Sequence, residues 1–217
     1  MIAEHMVRAH DTIPAVTHVE ECDVTELQAT RRKANERDPD ATKLTFLPFI
    51  VKAVVAGLKK YPGMNSSLDL DAGEIVFHGQ YDIGIAVDAP HGLVVPVVRN
   101  ADARSLRELA AEIERLAAGA RAGKLRPDEL KGSTFSITSP GPFAGLMATP
   151  IINYPEAAIL GVHKAEARPV VRDGALVVRE MMNVSITFDH RLVDGVAAAR
   201  FCKEVVELLE HPALLAL

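Results

Sequence analysis

The stretch Met182–Gly195, which reads Met-Asn-Val-Ser-Ile-Thr-Phe-Asp-His-Arg-Leu-Val-Asp-Gly, decides how the rest of the chain can fold. Its first half alternates apolar and polar residues, a pattern that predicts a half-buried β-strand. The apolar side consists of Val184, Ile186 and Phe188. The strand is followed by a turn that carries His190 and Asp194, and Gly195 is expected to close this turn. Apolar residues then recur every three or four positions from Ala198 to Leu209, which predicts a helix.

The residues of this turn allow several interpretations when they are taken alone. A histidine at the end of an apolar strand can be a purely structural residue. His190 and Asp194 could also be half of a metal site, because both residue types bind metals. The sequence offers no convincing third and fourth ligands, so we expect no metal. A third interpretation is a catalytic base that a rigid strand holds in place.

The full turn motif favours catalysis. Asp-His-Arg-Leu-Val-Asp-Gly, residues 189–195, resembles the D-H-R-x-x-D-G signature of dihydrolipoamide acyltransferases, the E2 components of 2-oxo acid dehydrogenase complexes. The wider superfamily, which includes chloramphenicol acetyltransferase and peptide-synthetase condensation domains, shares only the looser H-x-x-x-D-G. Asp189 and Arg191 therefore point to the E2 branch.

Other segments resemble the same family in the same order along the chain. They are Leu47–Ala53, the hairpin segments Asp82–Asp88 and Gly92–Asp102, the strand and turn Thr134–Gly141, and Thr149–Gly161. Ser139 stands where the family has asparagine, and Pro140 is inserted into the turn. We therefore expect the local backbone to differ from the family at this turn.

The resemblance implies acyl transfer between two thiols, the dihydrolipoyl arm and coenzyme A. His190 would be the general base, Thr138 would donate a hydrogen bond to the oxyanion, and Asp194 would support the site, more as a brace of its loop than as a proton relay. Arg191 and Gly195 would be structural parts of the same loop. Read from spacing alone, Thr138 could equally be a strand residue chosen for its β-propensity.

The resemblance also implies partners. In this family the histidine and the hydroxyl come from neighbouring subunits around a threefold axis, so we expect a homotrimer. The apolar end His211–Leu217 could fold onto its own domain, or it could dock on the next trimer to build a cubic or dodecahedral core. The lipoyl and subunit-binding domains are absent from residues 1–217. We therefore expect one catalytic domain that would meet the lipoyl domain and the E1 and E3 components through segments outside it.

Composition excludes several other classes of function. A formal net charge of −5 gives no reason to expect nucleic acid or an anionic membrane as a partner, and tryptophan is absent. The two cysteines, Cys22 and Cys202, form no disulfide framework, which favours the cytoplasm. The N-terminus lacks the layout of a signal peptide.

The order of the predicted elements indicates an α/β fold. It would be a two-layer sandwich with a mixed β-sheet covered by helices, as in chloramphenicol acetyltransferase. Asp23 with Glu26 and Ser105 with Glu108 predict two helix capping boxes. Residues 45–60 predict a helix that is buried on most sides, and Tyr81–Val98 predicts a hairpin with a long loop. Residues 170–178 predict two strands, joined by an Asp-Gly turn, that precede the motif strand.

Two competing functions stay open at this point. One is a free-standing coenzyme A-dependent O- or N-acyltransferase, which would prefer a hydroxyl or amine acceptor over dihydrolipoamide. The other is an inactive scaffold whose role is assembly, which would show no acyl transfer.

Overall fold

The computed structural model describes residues 2–90, 92–141 and 145–216. The helices in these residues are α1 (Ile2–Thr12), α2 (Thr25–Arg37), α3 (Phe46–Lys60), α4 (Leu106–Arg121) and α5 (Gly195–Glu210). The strands are β1 (Ala15–Asp23), β2 (Ser66–Asp69), β3 (Glu74–Phe77), β4 (Ile83–Ile85), β5 (Val87–Ala89), β6 (Gly92–Val94), β7 (Val97–Val98), β8 (Phe135–Thr138), β9 (Ala158–Val162), β10 (Glu166–Arg172) and β11 (Ala175–Asp189). Short 3₁₀ turns lie at Pro62–Asn65, Ala101–Ala103, Pro127–Leu130 and Pro212–Ala216.

One seven-stranded mixed sheet forms the centre of the domain. Its strand order is β1-β11-β9-β8-β4-β7, and β10 pairs with β11. The pairs β8–β9 and β4–β8 are parallel, whereas β11 runs antiparallel to β9. Two separate ribbons, β2–β3 and β5–β6, complete the strands of the described residues. The α/β fold with a mixed sheet covered by helices is thus confirmed.

The two faces of the sheet differ in character. Alternation along each strand sends one set of side chains into the main apolar core, where α4 and α5 contact the sheet and α3 packs against both helices. This set includes Phe135 and Ile137 of β8, Leu160 of β9, and Ile186 and Phe188 of β11. The opposite face carries Ser136, Thr138, Gly161, Ser185 and Thr187. We call it the polar face.

The helix α3 is buried on most sides, as its sequence predicts, because α5 and α4 pack against it. A Cβ atom on Gly57 would lie 2.8 Å from the Phe201 ring, so glycine allows the two helices to approach. The Phe201 ring also contacts Phe135 on the sheet, with 5.9 Å between ring centroids. Helix and sheet layers therefore meet at this aromatic contact. None of the described helices combines the length and the apolar character needed to cross a membrane.

Some predicted details are confirmed and others are wrong. The capping box of Ser105 and Glu108 forms at the start of α4. The box of Asp23 and Glu26 does not form, because β1 continues to Asp23 and its carboxylate accepts hydrogen bonds from the backbone and hydroxyl of Thr25.

The strand pairs in two predicted hairpins also differ from expectation. The hairpin of residues 81–98 is confirmed, but it is divided into the ladders β5–β6 and β4–β7. Only residues 90 and 91 connect β5 to β6, so its loop is short; residue 91 lies outside the described residues. The second strand of the hairpin at residues 166–189 is continuous with the motif strand, so β11 is 15 residues long.

The described part of the C-terminal tail folds back on its own chain. Leu215 packs against the main core, and the 3₁₀ turn Pro212–Ala216 contacts α2, α3 and α5. Leu217 lies outside the described residues.

Candidate active site

His190 is held at the end of a central strand. Its backbone N–H donates to the Pro14 carbonyl oxygen at 3.2 Å, which ties the turn to the start of β1. Its ring lies 5.7 Å from the ring of Phe188, and the side chain is exposed. An exposed imidazole on a fixed backbone can exchange a proton with a group that approaches from solvent.

Asp189 and Arg191 hold the turn on either side of the histidine. The buried Asp189 carboxylate accepts from the Arg191 backbone N–H at 2.9 Å and from its guanidinium at 2.6 Å. This hydrogen-bonded ion pair raises the pKa of Arg191. The structural role expected for Arg191 is visible in these contacts.

Asp194 caps α5. Its Oδ1 atom accepts from the backbone N–H groups of Val196 and Ala197, both at 2.8 Å. A carboxylate at a helix N-terminus is favourable, because unpaired N–H groups and the positive end of the helix dipole meet there. Gly195 is the first residue of the helix, so the expectation that it closes the turn is wrong. The cap nevertheless fixes the strand–turn–helix geometry around His190.

Thr138 ends β8 on the polar face and is half-buried. The parallel pairing of β8 with β9 sets it opposite Gly161, and Gly161 in turn lies opposite Ser185 of β11. Residues 142–144, shortly after Thr138, lie outside the described residues. The inserted Pro140 lies between β8 and this gap.

Thr138 and His190 are far apart within one chain. Thr138 is in register with Gly161 of β9, which is in register with Ser185 of β11. His190 follows Ser185 by five residues. Five residues of extended strand span about 16 Å, and two strand spacings add a lateral offset of about 10 Å. Because β8 and β11 run in opposite directions, their C-terminal residues lie at opposite ends of the strands. A single chain therefore does not bring the two side chains together.

The buried carboxyl group of Glu156, which was not predicted from the sequence, lies at the same end of the sheet as His190. The Glu156 Oε1 atom accepts from Ser133 at 2.5 Å, from Ser136 at 3.0 Å and from Asn153 at 2.7 Å. Burial raises the pKa of Glu156 to about 7, although the three hydrogen bonds oppose this. Glu156 borders a cavity of about 630 Å³. Only the pattern of a glutamate just before an apolar strand could have indicated it.

The described residues contain no group of three or more His, Cys, Asp and Glu side chains that could hold a metal ion. The candidate site offers an imidazole, a hydroxyl and a helix-capping carboxylate, from His190, Thr138 and Asp194.

Comparison with known proteins identifies the family. The family model of the 2-oxoacid dehydrogenases acyltransferase (catalytic domain) matches residues 1–217. The chain belongs to this acyltransferase family. A lipoamide acyltransferase component of the branched-chain alpha-keto acid dehydrogenase complex of Pseudomonas putida is 47% identical over 215 residues, which are 99% of this chain and 51% of that protein. A dihydrolipoyllysine-residue acetyltransferase component of the pyruvate dehydrogenase complex of Staphylococcus epidermidis is 45% identical over 99% of this chain and 50% of that protein. The chain thus spans about half the length of the curated relatives it matches.

Solved structures of acyltransferases confirm the fold. The dihydrolipoamide acetyltransferase of Azotobacter vinelandii matches with a TM-score of 0.95. That structure comes from work on the role of one serine, one histidine and one asparagine in the catalytic mechanism of that enzyme. It is 42% identical, and the match covers 99% of this chain and 89% of that one. The cubic core of a pyruvate dehydrogenase multienzyme complex matches with the same TM-score, identity and coverage. A chloramphenicol acetyltransferase, 17% identical with a TM-score of 0.60 over 95% of this chain and 94% of its own, shares the fold of the acyltransferase family.

Proposed function

We propose that the chain transfers an acyl group between a dihydrolipoyl thiol and coenzyme A. The observation that carries the proposal is a spacing. In the Azotobacter vinelandii enzyme the serine precedes the histidine by 52 positions and the asparagine follows it by 4, the separations of Thr138, His190 and Asp194 here. Threonine keeps the hydroxyl of serine. Aspartate keeps the acceptor oxygen of asparagine, and that oxygen is the atom that caps α5.

His190 is proposed as the general base. A free thiol has a pKa of roughly 8.5 and is mostly protonated at neutral pH, so its sulfur needs a proton acceptor as it attacks. His190 would take the proton of the coenzyme A thiol while the sulfur attacks the thioester carbonyl carbon of the acyl-dihydrolipoyl arm. The tetrahedral intermediate would then collapse, and the same proton would pass to the departing lipoyl sulfur. Bonds and protons balance without a metal or a redox partner.

Thr138 is proposed to stabilise the oxyanion of this intermediate with its hydroxyl group. In one chain this hydroxyl and His190 lie several strand residues apart, at opposite ends of the strands. A second copy must therefore supply one of the two groups. This geometry supports the expectation of a homotrimer in which each site forms between two subunits.

The wider assembly is also a proposal. The similarity to a cubic core supports a larger cubic or dodecahedral particle built from trimers. The lipoyl domain and the E1 and E3 components would be reached through segments beyond the half of the relatives that this chain spans. Cys22 and Cys202 are buried free thiols, which supports a cytoplasmic location.

The test is a transfer assay with purified protein of known oligomeric state. Acetyl-, succinyl- and isobutyryl-coenzyme A are offered with free dihydrolipoamide, beside a His190→Ala control. We expect transfer, a preference among the three donors that names the acyl group, and a loss of at least about 10²-fold in the control. The two relatives described above belong to complexes that are named for different 2-oxo acids, so the donor series tests which of the two this chain resembles in acyl group.

Two results would contradict the proposal. A trimer that transfers nothing to dihydrolipoamide would leave the scaffold interpretation. Faster transfer to a hydroxyl or amine acceptor than to dihydrolipoamide would identify a free-standing acyltransferase.

A further inference from the structure

A buried cluster of polar side chains lies beside Thr138 on the polar face. Thr138, Gly161 and Ser185 are in register on the neighbouring strands β8, β9 and β11. A Cβ atom on Gly161 would collide with the Ser185 hydroxyl and would lie 3.3 Å from His163 Nε2. The side chains of Ser185 and His163 therefore occupy the space above Gly161, about one strand spacing of 4.8 Å from Thr138.

The hydrogen bonds of this cluster run in one direction. The Ser185 hydroxyl donates to the Ala148 carbonyl oxygen at 3.1 Å, and it has one hydrogen only. His163 Nε2, which lies 3.0 Å from the same hydroxyl, must therefore carry the hydrogen of that contact and donate it. His163 Nδ1 is buried, and the described residues offer it no hydrogen-bond partner. Burial also lowers the pKa of His163, which favours the neutral ring.

A second hydrogen bond ties the loop of residues 145–148, which contains Ala148, to β11. The Asn183 side-chain amide donates to the Leu146 carbonyl oxygen at 2.7 Å. Asn183 and Ser185 are two residues apart on the polar face of β11, so this one strand binds two carbonyl groups of residues 145–148. Residues 145–148 are thus bonded to β11, while the side chains of Leu146 and Met147 are exposed.

We propose that His163, Ser185 and Asn183 are positioning residues that hold the loop of residues 145–148 on the polar face, where Thr138 also lies, and so help to define the acyl group's place in the site. The inference rests on the proposed function. Thr138 would bind the carbonyl oxygen of the thioester, and the acyl chain extends from the same carbonyl carbon. The side chains that anchor the loop lie above Gly161, one strand from Thr138, and small displacements of positioning groups can cost large factors in rate.

The first test compares Ser185→Ala with Thr17→Val. Thr17 also lies in the sheet, and it shares one hydroxyl–hydroxyl hydrogen bond of 2.8 Å with Thr187, away from the loop. For trimers of equal concentration, we expect Ser185→Ala to lower kcat by about tenfold. We also expect it to change the ratio of rates for acetyl- and isobutyryl-coenzyme A, whereas Thr17→Val leaves the ratio unchanged. A smaller fraction of folded protein cancels in this ratio.

The second test uses His163 and a measurement that does not depend on activity. His163→Gln keeps an N–H donor for Ser185 and should retain the wild-type ratio, whereas His163→Leu should resemble Ser185→Ala. Hydrogen exchange of the amides in residues 145–149 should accelerate in Ser185→Ala and His163→Leu only. If Ser185→Ala does not fold, Asn183→Ala replaces it, with the same expected direction.

The outcomes separate the two proposals. If wild type transfers acyl groups but Ser185→Ala and His163→Leu match Thr17→Val in rate ratio, the positioning role is wrong and the function stands. Unchanged exchange of the loop in Ser185→Ala would also overturn the positioning role. A wild-type trimer that transfers nothing would remove both.

Discussion

The buried carboxyl group of Glu156 should make the stability of the protein depend on pH. Glu156 Oε1 receives three hydrogen bonds, but its Oε2 atom is buried and has no partner among the described residues. A carboxylate with one buried oxygen unpaired is costly, whereas a proton on that oxygen removes the charge. Burial accordingly raises the pKa of Glu156 from its ordinary value of 4.5 to about 7.

The sign and the size of the effect follow from this difference in pKa. Because the pKa of Glu156 is higher in the folded protein than in the unfolded chain, its contribution to stability is fully present below pH 4.5 and is lost as the pH rises through 7. Each pH unit between the two pKa values corresponds to about 1.36 kcal/mol, so ionisation of Glu156 should cost about 3 kcal/mol above pH 8. The substitution Glu156→Gln removes the titration and keeps an oxygen acceptor.

The assay is urea unfolding of wild type and Glu156→Gln at pH 5 and pH 8, at one protein concentration because the assembly affects apparent stability. The free energy of unfolding of the variant should rise relative to wild type by about 2.5 kcal/mol between the two pH values, because pH 5 already lies slightly above the unfolded pKa of 4.5. Glu114→Gln, an exposed position on α4, is the control and should show no such change. An equal difference between Glu156→Gln and wild type at both pH values would refute the reasoning.

Three further predictions concern the site and the core. Thr138→Val should lower the transfer rate by about 10²–10³-fold without changing the oligomer, as measured by kinetics and light scattering, because one oxyanion donor is lost; an unchanged rate would exclude that role. Asp194→Ala should lower the free energy of unfolding by about 1 kcal/mol through loss of the α5 cap, whereas Asp194→Asn should retain the cap in the same denaturation assay. Phe201→Ala should lower it by about 3–5 kcal/mol, because the ring is fully buried between α3 and the sheet, and a loss below 1 kcal/mol would contradict that packing.

Features that depend on neighbouring residues in the sequence were predictable. Alternation of apolar residues identified residues 182–188 of β11 and their polar face, and the all-round apolar pattern identified the buried helix α3. The capping box of Ser105 and Glu108 is likewise a local signal. The box of Asp23 and Glu26 carries the same pattern and fails, because pairing of Asp23 with Met181 extends β1 up to the helix. Tertiary pairing there overrides the local preference.

The separation of Thr138 and His190 depends on strand order, which the sequence alone does not reveal. Alternation shows which face a side chain occupies, but it does not show that β9 lies between β8 and β11 or that β11 runs antiparallel to both. His163 and Glu156 were missed for the same reason. Glu156 lies before β9 and His163 directly follows it, and only the fold surrounds each with partners.

The measurement that tests the central claim most directly is complementation between two inactive variants. His190→Ala and Thr138→Val are produced together with different tags, and mixed trimers carrying both tags are purified and assayed for acyl transfer to dihydrolipoamide. If each site takes its histidine from one chain and its hydroxyl from its neighbour, each mixed trimer has one site with both groups intact, so about a third of the wild-type sites should be restored. Mixed trimers no more active than the average of the two parent variants would show that both groups act within one chain, and the account of a shared site would be wrong.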